Sequence, residues 1–158
     1  MNEIPGPGAI APQFTLPDTM EETASLAEFR GKWVILYFYP KDNTSGCTAE
    51  AIDFTAMKGD FEKLGSVVLG ISPDSCKSHQ KFMVKYSLGI RLLSDTGSKV
   101  CGEYGVWQKK KMYGNEYMGV SRTTFLINPT GVIERVWENV KVQGHADEVL
   151  DALRALTL

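Results

Sequence analysis

The chain has 158 residues and a mass of 17.5 kDa, which suits one domain whose single core buries roughly two-thirds of the unfolded surface. Hydrophobic residues make up 43%, charged residues 23%, and the formal net charge is -2, so the electrostatics call for neither a nucleic acid nor a membrane partner. The start Met1-Asn2-Glu3-Ile4-Pro5-Gly6-Pro7-Gly8 lacks the basic and apolar regions of a signal peptide, and no segment approaches membrane-spanning length; a cytoplasmic protein is expected.

In chain order, Phe14 to Leu16 reads as a short edge strand and Trp33 to Tyr39, a continuous aromatic and β-branched run, as a strand buried on both faces. Pro40 ends that strand. Cys47 to about Lys63 suits a helix in which Gly59 offers a break, and Val67 to Ile71 is the next strand. Pro73-Asp74-Ser75 opens a helix running to about Tyr86, followed by a short strand from Arg91 to Leu93 and a short helix from Gly97 to Tyr104. Lys109-Lys110-Lys111, beside Gly114 and Asn115, reads as a solvated loop. Thr123 to Ile127 and Val132 to Trp137 are joined by Asn128-Pro129-Thr130-Gly131, a tight turn, and so form an antiparallel hairpin. His145 to Leu156 closes the chain as a helix with Val149, Leu150, Leu153 and Leu156 on one face. This order implies an α/β, thioredoxin-like fold, a mixed central sheet with helices on both faces, in a single domain over 1–158.

The most informative residue is Cys47. Asn43, Thr44, Ser45 and Gly46 supply turn chemistry and a hydroxyl able to cap a helix, so the thiol falls in the first helical turn. Backbone N–H groups there lack intrahelical acceptors, and their partial positive charge favours thiolate over thiol. A small buried apolar residue is the alternative reading of such a cysteine. The three cysteines are odd in number and widely spaced, which excludes a secreted disulfide framework; without a CxxC or His-rich cluster, no metal or cofactor is expected.

The run Phe38-Tyr39-Pro40-Lys41-Asp42-Asn43-Thr44-Ser45-Gly46-Cys47-Thr48 resembles the P-x-x-x-T-x-x-C signature of peroxiredoxins, most closely the bacterioferritin comigratory (Q-type) subfamily. The similarity continues through Ser78-His79-Gln80-Lys81-Phe82, Leu93-Ser94-Asp95, Tyr104-Gly105-Val106-Trp107 and Gly119 to Ile127. The resemblance implies a thiol-dependent peroxidase acting on hydrogen peroxide and small organic hydroperoxides. It makes Cys47 the peroxidatic thiolate that becomes a sulfenic acid, and Arg122 its cationic partner and transition-state donor. It also makes Thr44 a hydrogen-bonding group at the attacked oxygen and Pro40 a shield against water. Glu50, three residues after Cys47, can pair with an arginine entering the site or simply favour the helix start from the surface.

Two departures stand out. Position 45 is Ser where these proteins usually carry Pro, and the usual resolving positions hold Ile52 and Met83. Cys76 lies seven residues before Met83 on the same helix, near the same face, and is a possible resolving cysteine; Cys101 reads as buried packing. Where an internal disulfide forms, thioredoxin is the reductant that the resemblance implies; without one, the sulfenic acid would be reduced by a low-molecular-weight thiol such as glutathione, by a small redox protein such as glutaredoxin, or by another protomer. A monomer and a homodimer are both compatible. His79, in a polar stretch, and His145, at a helix start, read as surface residues. A redox sensor with little turnover, or a structural module with an inert thiol, are the alternative functions on this fold.

Overall fold

The computed structural model describes residues 3–157; Met1, Asn2 and Leu158, at the ends of the expected domain, lie outside that span. In chain order, β1 (Thr15–Pro17) pairs antiparallel with β2 (Thr23–Ser25), and a 3₁₀ turn (Leu26–Phe29) leads to β3 (Trp33–Phe38). Then come α1 (Ser45–Ala56), α2 (Lys58–Lys63), β4 (Ser66–Ser72), α3 (Cys76–Tyr86), β5 (Arg91–Ser94) and α4 (Lys99–Glu103). The chain ends with β6 (Trp107–Met112), β7 (Asn115–Val120), β8 (Thr123–Ile127), β9 (Ile133–Trp137) and α5 (His145–Thr157).

The central sheet has five strands in the order β5-β4-β3-β8-β9. β3 is paired parallel with β4 on one side and antiparallel with β8 on the other, so both its edges are covered and its unbroken apolar run is explained. Val34, Leu36 and Phe38 face one core with Leu69, Ile71, Phe125 and the short helix α4. Ile35, Tyr37 and Tyr39 face the other, under α1, α2, α3 and α5. Helices therefore cover both faces, as the element order implies.

Several expectations need correction. The first long helix breaks at Met57, and Gly59 sits inside α2. Lys109–Lys111 belongs to β6, which is hairpinned to β7 through Tyr113 (φ 52) and Gly114 (φ 80). Two left-handed residues make the tight turn whose twist matches a hairpin. On its outer face Lys109 and Lys111 both reach Glu116, at 3.1 and 3.6 Å, which offsets the low strand propensity of lysine. Leu156 is 46% exposed and adds nothing to the buried stripe of α5. The β8–β9 hairpin is as expected: Asn128 Oδ1 accepts from the Thr130 and Val132 N–H groups, both at 3.0 Å, and Gly131 is left-handed (φ 87).

Candidate active site

The sheet register brings two of the expected residues, Cys47 and Arg122, together. Phe38, the last residue of β3, is opposite Thr123, the first of β8, so the loop leaving β3 and the residue entering β8 meet at one end of the sheet. The first carries Pro40, Thr44 and Cys47; the second is Arg122. Cys47 Sγ accepts a hydrogen bond from Arg122 Nη2 at 3.3 Å across 75 residues of sequence. The thiol is 1% exposed.

Local structure sets this geometry. Asn43 takes a left-handed backbone (φ 62), which its side-chain class tolerates, and Thr44 is extended at the N-cap of α1. Cys47 is thus the third helical residue. The Thr44 hydroxyl does not cap the helix; it donates to the Lys41 carbonyl at 2.9 Å and closes the loop. A Cβ at Gly46 would lie 3.1 Å from Arg122 Nη2, so glycine there leaves the guanidinium room to approach. Pro40 is half-buried at the strand exit.

Glu50 faces inward. Its Oε1 accepts from Arg122 Nη1 at 2.8 Å and its side chain is 1% exposed, so the pairing reading holds and the surface reading does not. Burial pushes the Glu50 carboxyl up to about 7 despite the attraction of Arg122. Burial opposes the charge on Arg122 as well, but Glu50 and Cys47 outweigh it and hold the guanidinium protonated. Arg122 is therefore a fixed cation with one nitrogen on the carboxyl and another on the sulfur. A guanidinium fork is the group that can do both.

Two neighbours escaped the sequence reading. Tyr37 is fully buried, and burial followed by the charges of Glu50 and Cys47 keeps its hydroxyl protonated far above the usual tyrosine range. Its hydroxyl and Glu50 Oε2 have no hydrogen-bond partner among the described residues. Lys110 is the other. Its stem lies over Gly119, where a Cβ would sit 3.3 Å from Cδ. Its ammonium is weakened by burial and then by Arg122, with Cys47 acting in the opposite sense. Alternation along β6 was the available signal, since Lys109 and Lys111 share one face and Lys110 takes the other.

Both histidines are buried rather than on the surface. His79 Nε2 faces the Leu93 carbonyl at 3.0 Å, and Nδ1 lies 2.7 Å from Asp42 Oδ2. Tyr39 and Ser78 donate to the same carboxylate. Asp42, Asp74 and His79 thus form a cluster of ligating atoms within 4.8 Å of one another, but hydrogen bonds already engage those atoms. His145 Nε2 is 2.8 Å from Thr124 Oγ1, and burial lowers its basicity. Helical phase was the missed signal: His79 is in step with Phe82 and Tyr86, and His145 with Val149.

Cys76 is half-exposed at the first residue of α3, while Cys101 is buried; all three cysteines are free thiols. Cys101 is 0% exposed within the core, as the packing reading expects, and burial, then Asp95, raises its thiol far above the usual range.

A mixed sheet that places a helix-start cysteine against an arginine defines a thiol-dependent redox enzyme of the thioredoxin-like class. The AhpC/TSA family matches residues 7–136. Peroxiredoxin Bcp of Bacillus subtilis is 43% identical over 150 residues, covering 95% of this chain and 96% of that protein. Bacterioferritin comigratory protein of Xanthomonas campestris, in a structure concerned with its alkyl peroxide reduction activity, is 39% identical. That match covers 98% of both chains with a TM-score of 0.89. A cysteine-to-serine mutant of Xylella fastidiosa PrxQ is 36% identical over 100% of both chains, with a TM-score of 0.93. The chain belongs to the AhpC/TSA family, among its Bcp (Q-type) peroxiredoxins, and is a thiol-dependent peroxidase.

Proposed function

We propose that Cys47 is the peroxidatic residue and that the single domain reduces hydrogen peroxide and small organic hydroperoxides. The Cys47 thiolate attacks the terminal oxygen of the hydroperoxide. The S–O bond forms as the O–O bond breaks, and the leaving alkoxide or hydroxide takes a proton to become alcohol or water. Arg122, fixed by Glu50, stabilises the thiolate and the charge that moves onto the leaving oxygen. Thr44 turns its hydroxyl to the attacked oxygen, and Pro40 limits water at the sulfur. The observation that carries this reading is the contact of Cys47 Sγ with an arginine that a buried carboxyl holds in place.

The sulfenic acid is then reduced by thiols. Cys76 opens the helix whose Ser78 holds Asp42 at the start of the same loop, which supports it as the resolving cysteine once the first turn of α1 unwinds. Thioredoxin would then reduce the disulfide; otherwise glutaredoxin or a low-molecular-weight thiol reduces Cys47 directly. Among the described residues no helix is long and apolar enough to cross a membrane, in keeping with a cytoplasmic monomer or homodimer.

The test is intact mass without reductant after one equivalent of hydrogen peroxide, on the protein and on Cys47→Ser and Cys76→Ser. Loss of two hydrogens that disappears in both variants supports the Cys47–Cys76 route. One added oxygen assigns the one-cysteine route, and no rapid change at Cys47 overturns the assignment.

A further inference from the structure

Charge on this molecule is unevenly distributed. α3 carries Lys77, Lys81 and Lys85 at four-residue intervals and no Asp or Glu, so the three ammonium groups form one stripe about 12 Å long. Lys41, on the loop between β3 and α1, is exposed beside them. A groove of about 330 Å³ runs between loop and helix, lined by the three α3 lysines with Asp42, Asn43, Ser75 and Phe82. The two acids of the loop and the start of α3 are engaged internally: Asp42 accepts from Tyr39 and Ser78, and Asp74 accepts from the Asp42 N–H and the Ser72 hydroxyl. Glu21 and Glu22 are exposed on the turn whose Thr19 carbonyl accepts from Gln80 of α3. Among the described residues, none of Lys41, Lys77, Lys81 and Lys85 is in an ion pair. Lys58, Lys99, Lys109 and Lys111 each have one. With four positive charges on this ridge and a net charge of -2 for the whole, the remaining residues together carry -6.

We propose that this ridge is the docking surface for an acidic dithiol redox protein that reduces oxidised Cys47, an inference that rests on the peroxidatic role assigned above. Lysines are mobile, strongly hydrated point charges, suited to long-range attraction of an acidic surface and poorly suited to gripping one small anion. No arginine fork lines the groove, and the stripe is longer than a single carboxylate. Its position fits the task. Asn43 Oδ1 accepts from Tyr86 Oη at 2.9 Å and Lys85 Nζ at 3.3 Å, so α3 borders the loop that leads to Cys47, and Cys76 opens the same helix. A partner seated on the ridge brings its thiolate to the oxidised sulfur. In the direct route it forms a mixed disulfide as the sulfenic oxygen leaves as water; its second thiol then releases Cys47 and closes the partner's own disulfide. Steering of this kind raises association rate and falls with salt.

The test replaces Lys77, Lys81 and Lys85 together with Glu, and separately with Gln, and reads oxidation and reduction apart. Reduced thioredoxin with a net negative charge is the probe, and dithiothreitol is the neutral control. For the Glu variant, kcat/KM for thioredoxin falls about tenfold or more and loses its decline with salt, the Gln variant lying between. The rate of Cys47 oxidation by peroxide and its reduction by dithiothreitol stay within about twofold, as expected for exposed positions. An unchanged kcat/KM and salt slope for thioredoxin overturns the proposal, as does a loss confined to glutathione, which would make the groove a small-anion site. A Cys47 mixed disulfide with thionitrobenzoate, in a Cys76→Ser background, gives the thioredoxin rate without peroxide, so failure of the peroxidatic assignment and failure of docking are read separately.

Discussion

Two buried polar clusters lie under the same face of the sheet, one built on Cys47, Glu50 and Arg122 and the other on Tyr39, Asp42 and His79. In the second, both imidazole nitrogens and both carboxylate oxygens are engaged at hydrogen-bond distance. The contact of Nδ1 with Oδ2 at 2.7 Å ties the loop after β3 to α3. In the first, Glu50 Oε2 and the Tyr37 hydroxyl each lack a hydrogen-bond partner among the described residues, the carboxyl is pushed up by burial, and the arginine is 17% exposed. A fully satisfied network rigidifies. An under-satisfied one keeps groups in states they would leave in water, the condition for reactivity. The fold thus separates the cluster that holds the loop from the cluster to which the chemistry is assigned in the proposed function.

The largest expected effect that separates them is on rate. Arg122→Met should lower the second-order rate constant for Cys47 oxidation by about 100- to 1000-fold, and Arg122→Lys should recover only part of it, because a single ammonium nitrogen does not reproduce the two-nitrogen fork that spans sulfur and carboxyl. Stopped-flow oxidation under single-turnover conditions measures this. A loss under threefold for Arg122→Met would remove the arginine from the chemistry.

The opposite pattern is expected at the holding cluster. His79→Ala removes one of the three side chains that hold the buried Asp42 carboxylate and should cost about 1–3 kcal/mol in urea denaturation, with a smaller loss of peroxide rate than Arg122→Met. Equal damage to rate in the two variants would show that the clusters are one unit.

These two clusters also mark how far sequence reasoning reached. The order of strands and helices, and the thiol at a helix start, were legible because a seven-residue apolar strand run and a Pro-to-Gly turn are local signals. Arg122 was legible only through family resemblance, because its contact depends on the antiparallel register of β8 against β3 across 75 residues. His79 was misread from its polar neighbours and His145 from its place at a helix start, although Phe82 and Val149 fix their faces by phase. The β6–β7 hairpin was missed because three lysines in a row resemble solvated loop, and only pairing with Glu116 and the Tyr113–Gly114 turn makes them a strand.

A further effect comes from Glu50 and depends on pH. Its folded carboxyl is raised to about 7 from an ordinary 4.5, so between those values the native state binds more protons than the unfolded chain. Stability then falls as pH rises through that window, by about 3 kcal/mol in total. Glu50→Gln should flatten that slope in denaturation curves taken from pH 4.5 to 7.5, while changes at the Asp42–His79 cluster leave it in place. A slope that survives the substitution assigns the titration elsewhere.

The smallest expected effect concerns the start of α1, in the segment between the clusters. Ser45 is the first residue of α1, a position where a proline's fixed φ is already helical and its missing N–H has no intrahelical acceptor to lose. Ser45→Pro should therefore stabilise the chain by about 0.4–1 kcal/mol by restricting the unfolded state, read as a Tm rise of about 1–4 °C. On the proposed resolving route, the same restriction opposes the unwinding that would bring Cys47 out to its reductant. Peroxide oxidation of the folded thiol should hold its rate while disulfide formation or thiol reduction slows, because only the second step requires the first turn to open.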